Sequence, residues 1–172
     1  ARADLEMRKP WRRLHASPAV ADLLKALFGG PYCWLPMVTY RMEPPLACSR
    51  DGQNRAPSDR LTRIHQDGFN NPHLRFLIFW LPLMHIDGLI GGLALAENHH
   101  QAILPHQTSG PDKFGIRRET IPDQAWASAT FDVGDLVVLH RRTPHSGLTN
   151  LSDRYRLSID FRIAPETSQL VM

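Results

Sequence analysis

The sequence predicts a mainly β fold, an antiparallel sandwich or jelly roll with one helix ahead of it. Short apolar segments rich in β-branched and aromatic residues recur between Gly, Pro and Asp turns, and only one segment carries helical spacing. The last segment, "YRLSIDFRI", alternates polar and apolar residues without a break.

The helix comes first. Ser17 is placed to cap it, Pro18 suits its first turn, apolar positions recur at helical spacing through "AVADLLKALF", and Gly29-Gly30 end it. "YCWLPMVTYRM" then reads as extended, and residues 44–61, "PPLACSRDGQNRAPSDRL", as a loop able to cover a site. "RFLIFWLPLMHI" is a buried strand that runs into a turn at Asp87-Gly88, where an aspartate serves local backbone hydrogen bonds. "GGLALA" is a short strand, and the polar residues 97–126 form a long insertion with little regular structure. "ATFDVGDLVVLHRRTPHSG" supplies a turn at Gly134-Asp135, a strand through Leu139 and a loop entering His145. In the final strand Arg156, Ser158, Asp160 and Arg162 share one face, and Leu157, Ile159, Phe161 and Ile163 the other. A barrel with a wet, charged interior and an apolar exterior packed on a helix or second sheet satisfies both faces.

Composition narrows the function. A chain of 172 residues suits one domain with its own core. Its 42% hydrophobic and 22% charged residues contain no apolar run near the ~20 residues that span a bilayer, so no membrane insertion is expected. The net charge of +3 comes from scattered arginines without a basic stripe, which points away from nucleic acid and towards a small-molecule substrate, anions included. Cys33 and Cys48 match neither a disulfide framework nor a zinc spacing, so a reducing, cytoplasmic setting is expected. The chain opens on Ala1 rather than Met, and N-terminal segments of a longer protein are expected to be missing.

Nine histidines offer several metal-binding combinations. In "TRIHQDGFN", His65 and Asp67 are two apart, so on extended backbone they project to one face while Gln66 points away to pack or hydrogen-bond behind them. His-x-Asp alone is a common pattern and needs a third ligand. His85-Ile86-Asp87 repeats it but ends in a turn; His99-His100 are adjacent and diverge; His140 and His145 flank "RRTP", so that only one of them can face a site. His15, His73 and His106 have no partner in local sequence and read as solvated or structural. Joined by His145, the first pair becomes two histidines and a carboxylate, the facial set that favours non-haem Fe(II) and leaves positions open for a bidentate cosubstrate and dioxygen. Structural sites instead close the shell. A keto-acid cosubstrate needs a cation for its distal carboxylate. Arg156, eleven residues after His145, with Ser158 on the same strand face, offers a guanidinium fork and a hydroxyl, though a surface salt bridge is the other reading of that arginine.

With these residues assembled, the chain resembles the phytanoyl-CoA dioxygenase-like family of Fe(II)/2-oxoglutarate oxygenases, from about Pro18 to Ile163. "IHQDGF" is similar to the family's His-x-Asp strand, and "FWLPLMHIDGLIGGLALAENHH" to its run from a Trp-x-Pro-Leu strand through Gly-Gly-Leu to Pro-Gly-Ser-His. "FDVGDLVVLHRRTPHSGLTNLSDRYRLSIDFR" is similar to its Gly-Asp turn, distal histidine, asparagine and arginine. Glu97-Asn98-His99-His100 departs from the Pro-Gly-Ser-His of many relatives.

The resemblance implies a distorted double-stranded β-helix, a cupin-like jelly roll with a flanking N-terminal helix, forming a single oxygenase domain over residues 1–172. It implies a catalytic Fe(II) held by His65, Asp67 and His145, and 2-oxoglutarate held through its far carboxylate by Arg156, with Trp80 as a wall and Ser158 and Thr62 assisting. Asn150 would hold its loop. The implied reaction consumes O2, releases succinate and CO2, and oxidises, most simply hydroxylates, a C–H bond of a small organic substrate; desaturation, epoxidation or ring formation needs only another pose. Related halogenases carry a small residue in place of the carboxylate so that chloride can bind iron, and Asp67 disfavours that chemistry. Two other classes compete: a cupin-like metal-dependent isomerase or lyase that uses no oxygen and needs no Arg156 clamp, and an inactive binding domain, which the retention of all three ligands opposes. Phe69, Asn70, Asn71 and the segments 44–61 and 97–126 are the expected substrate rim.

Overall fold

The computed structural model describes residues 12–48, 61–110 and 112–166. Its elements are two helices, α1 (Arg12–His15) and α2 (Pro18–Phe28), then strand β1 (Tyr32–Glu43), the single turn α3 (Asp67–Asn70), and strands β2 (Leu77–Pro82), β3 (Leu93–Ala96), β4 (Trp126–Ala127), β5 (Val137–His140), β6 (His145–Gly147) and β7 (Arg156–Pro165). Helix α2 starts at Pro18 and stops at Gly29, whose left-handed φ of 64° lets its N–H bond Lys25 O at 2.9 Å. Ser17 departs from expectation: its backbone is extended as a cap requires, yet its side chain makes no capping bond. Leu24 is the buried residue of this helix and packs with Phe79, Phe161 and Ile163, so α2 covers the outer face of the larger sheet.

All strand pairings are antiparallel. One sheet has the order β1-β7-β2-β5 and the other β4-β3-β6. Beside β6, the segment 61–65 adds bridges from Leu61 to Leu148 and from His65 to His145, which gives the second sheet a fourth, irregular member. Two such four-membered sheets with non-sequential neighbours are a jelly roll, and the mainly β class with a flanking helix read from the sequence is what forms. Strand β1 breaks register between Trp34 and Val38, around Pro36, a residue with no N–H to give the ladder. The loop expected to enter His145 does so, and His145 is the first residue of β6.

The alternation of β7 has the meaning its sequence suggested. Arg156, Ser158, Asp160 and Arg162 are 5%, 1%, 2% and 8% exposed, so the polar face lies inside the barrel. Of the apolar face, Ile159, Phe161 and Ile163 are buried, while Leu157 is exposed. Between the sheets, Trp80, Ile86, Ile90, Phe131 and Leu139 form an apolar cluster. Gly92 lies under it because a Cβ there would meet Phe131 Cε2 at 2.6 Å, and the preceding Gly91 turns the chain at φ 70°.

The remaining histidine pairs resolve as turns and surface. Asp87 Oδ1 accepts the N–H groups of Leu89 and Ile90, both at 2.9 Å, and exposed His85 pairs with Asp132. In Glu97-Asn98-His99-His100, Asn98 takes a left-handed φ of 58° and makes the turn. Among its described residues the 97–126 insertion holds two single 3-10 turns, Arg118–Thr120 and Asp123–Ala125, ahead of β4. Residues 49–60 of the expected covering loop, and the side chain of His15, lie outside the described residues. Among the described residues no helix is long and apolar enough to cross a membrane.

Candidate metal centre

His65 and His145 face each other as a hydrogen-bonded antiparallel pair, each N–H donating to the other's carbonyl at 3.0 Å. Directly opposed residues place their side chains on one face, and the two imidazole centroids are 4.3 Å apart. Each ring is oriented the same way. His65 Nδ1 lies 3.0 Å from Arg63 O, and His145 Nδ1 lies 3.0 Å from Thr143 O. A carbonyl only accepts, so both protons sit on Nδ1 and both Nε2 lone pairs point away from the backbone towards a common point.

Asp67 reaches that point by a route the sequence did not indicate. It is the first residue of α3 rather than part of a strand, and Gln66 alone supplies the extended step, with φ −125° and ψ 123°. Asp67 Oδ1 lies 3.4 Å from His65 Nε2 and 3.8 Å from His145 Nε2. Two donors with bonds of about 2.0–2.2 Å to one ion stand at most about 4.4 Å apart, so both separations fit a shared cation. Among the described residues this is the one cluster of three such groups, their ligand atoms all within 4.8 Å.

The protonation states suit ligation. Burial, with the neighbouring His65, pushes the His145 imidazole down to about 4, so it is neutral at physiological pH. Burial alone would raise the Asp67 carboxyl, but the neighbouring His65, His145 and Arg162 side chains outweigh it and hold the group well below the usual carboxylate range. Arg162 donates to Asp67 Oδ2 from Nη2 at 2.6 Å and from Nε at 3.0 Å. Its Nη1 pairs with Asp160 Oδ1, and Asp160 Oδ2 takes Arg41 Nε at 2.5 Å. Neither arginine was singled out by the sequence. The signal was present in the polar face of β7, but which of its four residues meets Asp67, 95 positions away, is a matter of barrel closure.

Gln66 does point away, as expected, and is 1% exposed. Its Nε2 donates to Ala102 O at 2.9 Å and to Arg142 O, and its Oε1 accepts Leu104 N–H at 2.8 Å. It therefore ties the ligand segment to the 97–126 insertion and to the turn that leads into His145. His106, read as solvated or structural, is half-buried in this layer. It stacks on Phe69 with centroids 4.0 Å apart, and its Nε2 accepts the Gln66 N–H at 3.3 Å.

A cavity of about 1150 Å³ opens beside the cluster, and Thr62, His65, Trp80, His145, Arg156 and Arg162 are among its lining residues. Arg156 is buried and gives Nη1 to the carbonyls of Gly91, Gly92 and Leu148, which rules out the surface salt bridge. Thr62 Oγ1 donates to Gly147 O at 2.9 Å and lies 3.2 Å from Ser146 Oγ. Ser158 does not line the cavity. Its Oγ and Arg156 Nε are both buried without a hydrogen-bond partner among the described residues. Asn150 holds its loop: Nδ2 donates to Arg154 O at 2.6 Å and Glu43 O at 3.3 Å, and Oδ1 accepts from Ser152. Of the expected rim, Asn71 donates from Nδ2 to Asp67 O at 3.3 Å.

No family model matches the chain. It is 29% identical over 164 residues to a 1-deoxypentalenic acid 11-beta-hydroxylase of Streptomyces exfoliatus, a match covering 88% of this chain and 56% of that protein. The chain thus spans about half the length of the curated relatives it matches. Among solved structures it is similar to EvdO2 from Micromonospora carbonacea var. aurantiaca complexed with 2-oxoglutarate, with a TM-score of 0.65 and 20% identity, covering 95% of this chain and 70% of that one. It is also similar to the epimerase SnoN in complex with Fe3+, alpha ketoglutarate and nogalamycin RO, with a TM-score of 0.62 and 23% identity over 91% of this chain and 59% of that one. At these identities the likeness establishes a shared fold, in agreement with the strand order.

Proposed function

We propose that the chain is the catalytic barrel of a non-haem Fe(II)- and 2-oxoglutarate-dependent oxygenase of the phytanoyl-CoA dioxygenase-like type, hydroxylating a C–H bond of a small organic substrate. One observation carries this reading: His65 Nε2, Asp67 Oδ1 and His145 Nε2 converge on one point, and both histidines line a large cavity. Three ligands on one side leave the cavity side for cosubstrate and oxygen, which is the donor set that suits Fe(II) rather than a closed structural ion. Bound there, Fe(II) would supply O2 activation coupled to decarboxylation of 2-oxoglutarate to succinate and CO2.

The chain's own residues do the rest. His65 and His145 present neutral nitrogens fixed by carbonyls behind them, and Asp67 presents one oxygen while Arg162 occupies the other. Arg156 and Ser158, two residues apart on one face of β7, each carry an orphaned buried polar atom, and Arg156, which lines the cavity, suits the far carboxylate of 2-oxoglutarate, with Ser158 behind it. Thr62 and Trp80 shape the adjoining wall. The apolar cluster behind Trp80 keeps bulk water from that side of the site. Hydroxylation is supported by the name of the curated relative, and a carboxylate at position 67 opposes halogenation. Cys33 and Cys48 are thiols, which suits a reducing, cytoplasmic setting.

The test is anaerobic addition of Fe(II) and 2-oxoglutarate, watching for visible absorption of the chelate, followed by air, candidate substrates and a succinate assay. Folded protein that gives no chelate band refutes the proposal.

A further inference from the structure

The polar face of β7 contains more than the cosubstrate chemistry requires. Arg162 and Asp160 are buried and lie two residues apart on this inner strand, where Asp160 pairs in register with Thr39 of β1 and Trp80 of β2, and Arg162 with Ile78 of β2. From there four charges alternate: Asp67, Arg162, Asp160, Arg41. Two cations and two anions make the row neutral, with Arg41 half-exposed at its far end. At its near end, both N–H groups that Arg162 turns towards Asp67 go to the same oxygen, Oδ2, at 2.6 and 3.0 Å. The other oxygen, Oδ1, is the one that faces both histidines.

We propose that Arg162 is a positioning residue that holds Asp67 as a single-oxygen metal ligand, and that its guanidinium would capture a free small carboxylate if the Asp67 side chain were removed. The inference rests on the metal-centre reading above. A guanidinium fork occupying Oδ2 opposes both rotation of the carboxylate and two-oxygen chelation, so the ion keeps one more position for other ligands. Asp160 fixes the fork from behind, so the fork does not depend on Asp67 for its orientation. Deleting Asp67 would leave the row with one surplus positive charge at the cavity wall, beside the vacated ligand position. Formate, which carries the two oxygens of the missing carboxylate, has the size and charge to take that place.

The experiment is Co(II) titration of the purified chain, followed by visible absorption, for the wild type, Arg162→Gln, Asp67→Ala and Asp67→Ala/Arg162→Gln, each with and without formate. The wild type binds Co(II), Arg162→Gln binds roughly 10- to 100-fold more weakly as supporting residues of metal ligands do, and formate strengthens Co(II) binding by Asp67→Ala but not by the double variant. If the wild type binds no Co(II), the metal-centre reading falls and this proposal with it. If the wild type binds but Arg162→Gln binds equally well, or if formate rescues the double variant as fully as Asp67→Ala, this proposal alone is overturned. Arg162→Gln leaves two buried carboxylates facing one another, so it can fail to fold. In that case the formate comparison decides, because the double variant removes one charge of each sign and keeps the Arg41–Asp160 pair.

Discussion

Gln66 is the residue on which the geometry of the centre should depend most without touching a metal. Its amide makes three hydrogen bonds, to Ala102 O, to Arg142 O and from Leu104 N–H, and it is 1% exposed. In Gln66→Ala these backbone groups lose their partner. At about 1 kcal/mol per neutral hydrogen bond, the three together amount to about 3 kcal/mol. For a chain of this size each kcal/mol moves the melting temperature by about 2–4 °C, so Gln66→Ala should melt about 6–12 °C lower. Gln66→Glu is the sharper variant: it keeps the volume but turns an oxygen towards two carbonyls that expect a donor, and it should cost more than the alanine. The assay is urea and thermal unfolding of chelator-treated protein, which separates the fold from any stabilisation by metal. A loss under about 1 kcal/mol for Gln66→Ala, or a glutamate variant more stable than the alanine one, would refute the assignment of Gln66 as the tie between the ligand segment and the 97–126 insertion.

His65→Ala and Asp67→Ala should abolish iron-dependent succinate formation, while His85→Ala and Asp87→Ala retain it; the four variants assayed side by side separate the convergent His-x-Asp from its surface copy. Arg156→Lys keeps a charge but loses the fork, so the KM for 2-oxoglutarate should rise at least about tenfold, and an unchanged KM would remove Arg156 from the cosubstrate site. A third expectation concerns acid. His145 is held neutral to about pH 4 in the folded chain but protonates near 6.5 when unfolded, so the unfolded state binds more protons between those values and stability falls as the pH drops through that window. In metal-free protein this should cost about 2 kcal/mol on going from pH 7 to pH 5, read by urea unfolding. His145→Gln should flatten the dependence.

Strand periodicity and turn residues were enough to place the sheets, because side-chain alternation and Gly or Asp turns act locally. "YRLSIDFRI" disclosed a buried polar face before any partner was known, whereas local sequence showed only that one of His140 and His145, on either side of "RRTP", could face a site. What local sequence does not contain is closure. The Asp67–Arg162 pair joins residues 95 apart, and the Gln66–His106 contact residues 40 apart, and both follow from the way two sheets meet. The missing Ser17 cap has a related cause: the backbone preference for an extended N-cap is met, but the side-chain bond is optional once Pro18 has removed one donor from the first turn.

Spacing along β7 assigns its polar residues to different tasks. Arg156 and Arg162 are six residues apart, so at about 3.3 Å per residue their Cα atoms stand about 20 Å from each other. Each arginine also has distinct partners: Arg162 is satisfied by two carboxylates, while Arg156 gives Nη1 to carbonyls and keeps an unpaired Nε. A cation already neutralised by Asp67 and Asp160 is poorly suited to recognise a further anion, whereas Arg156 has no carboxylate in hydrogen-bonding contact among the described residues. On the proposed reading the strand would support the ligand set near its C-terminal half and receive a carboxylate near its start. Exchanging the two roles by mutation would require moving a buried charge, not only changing a side chain.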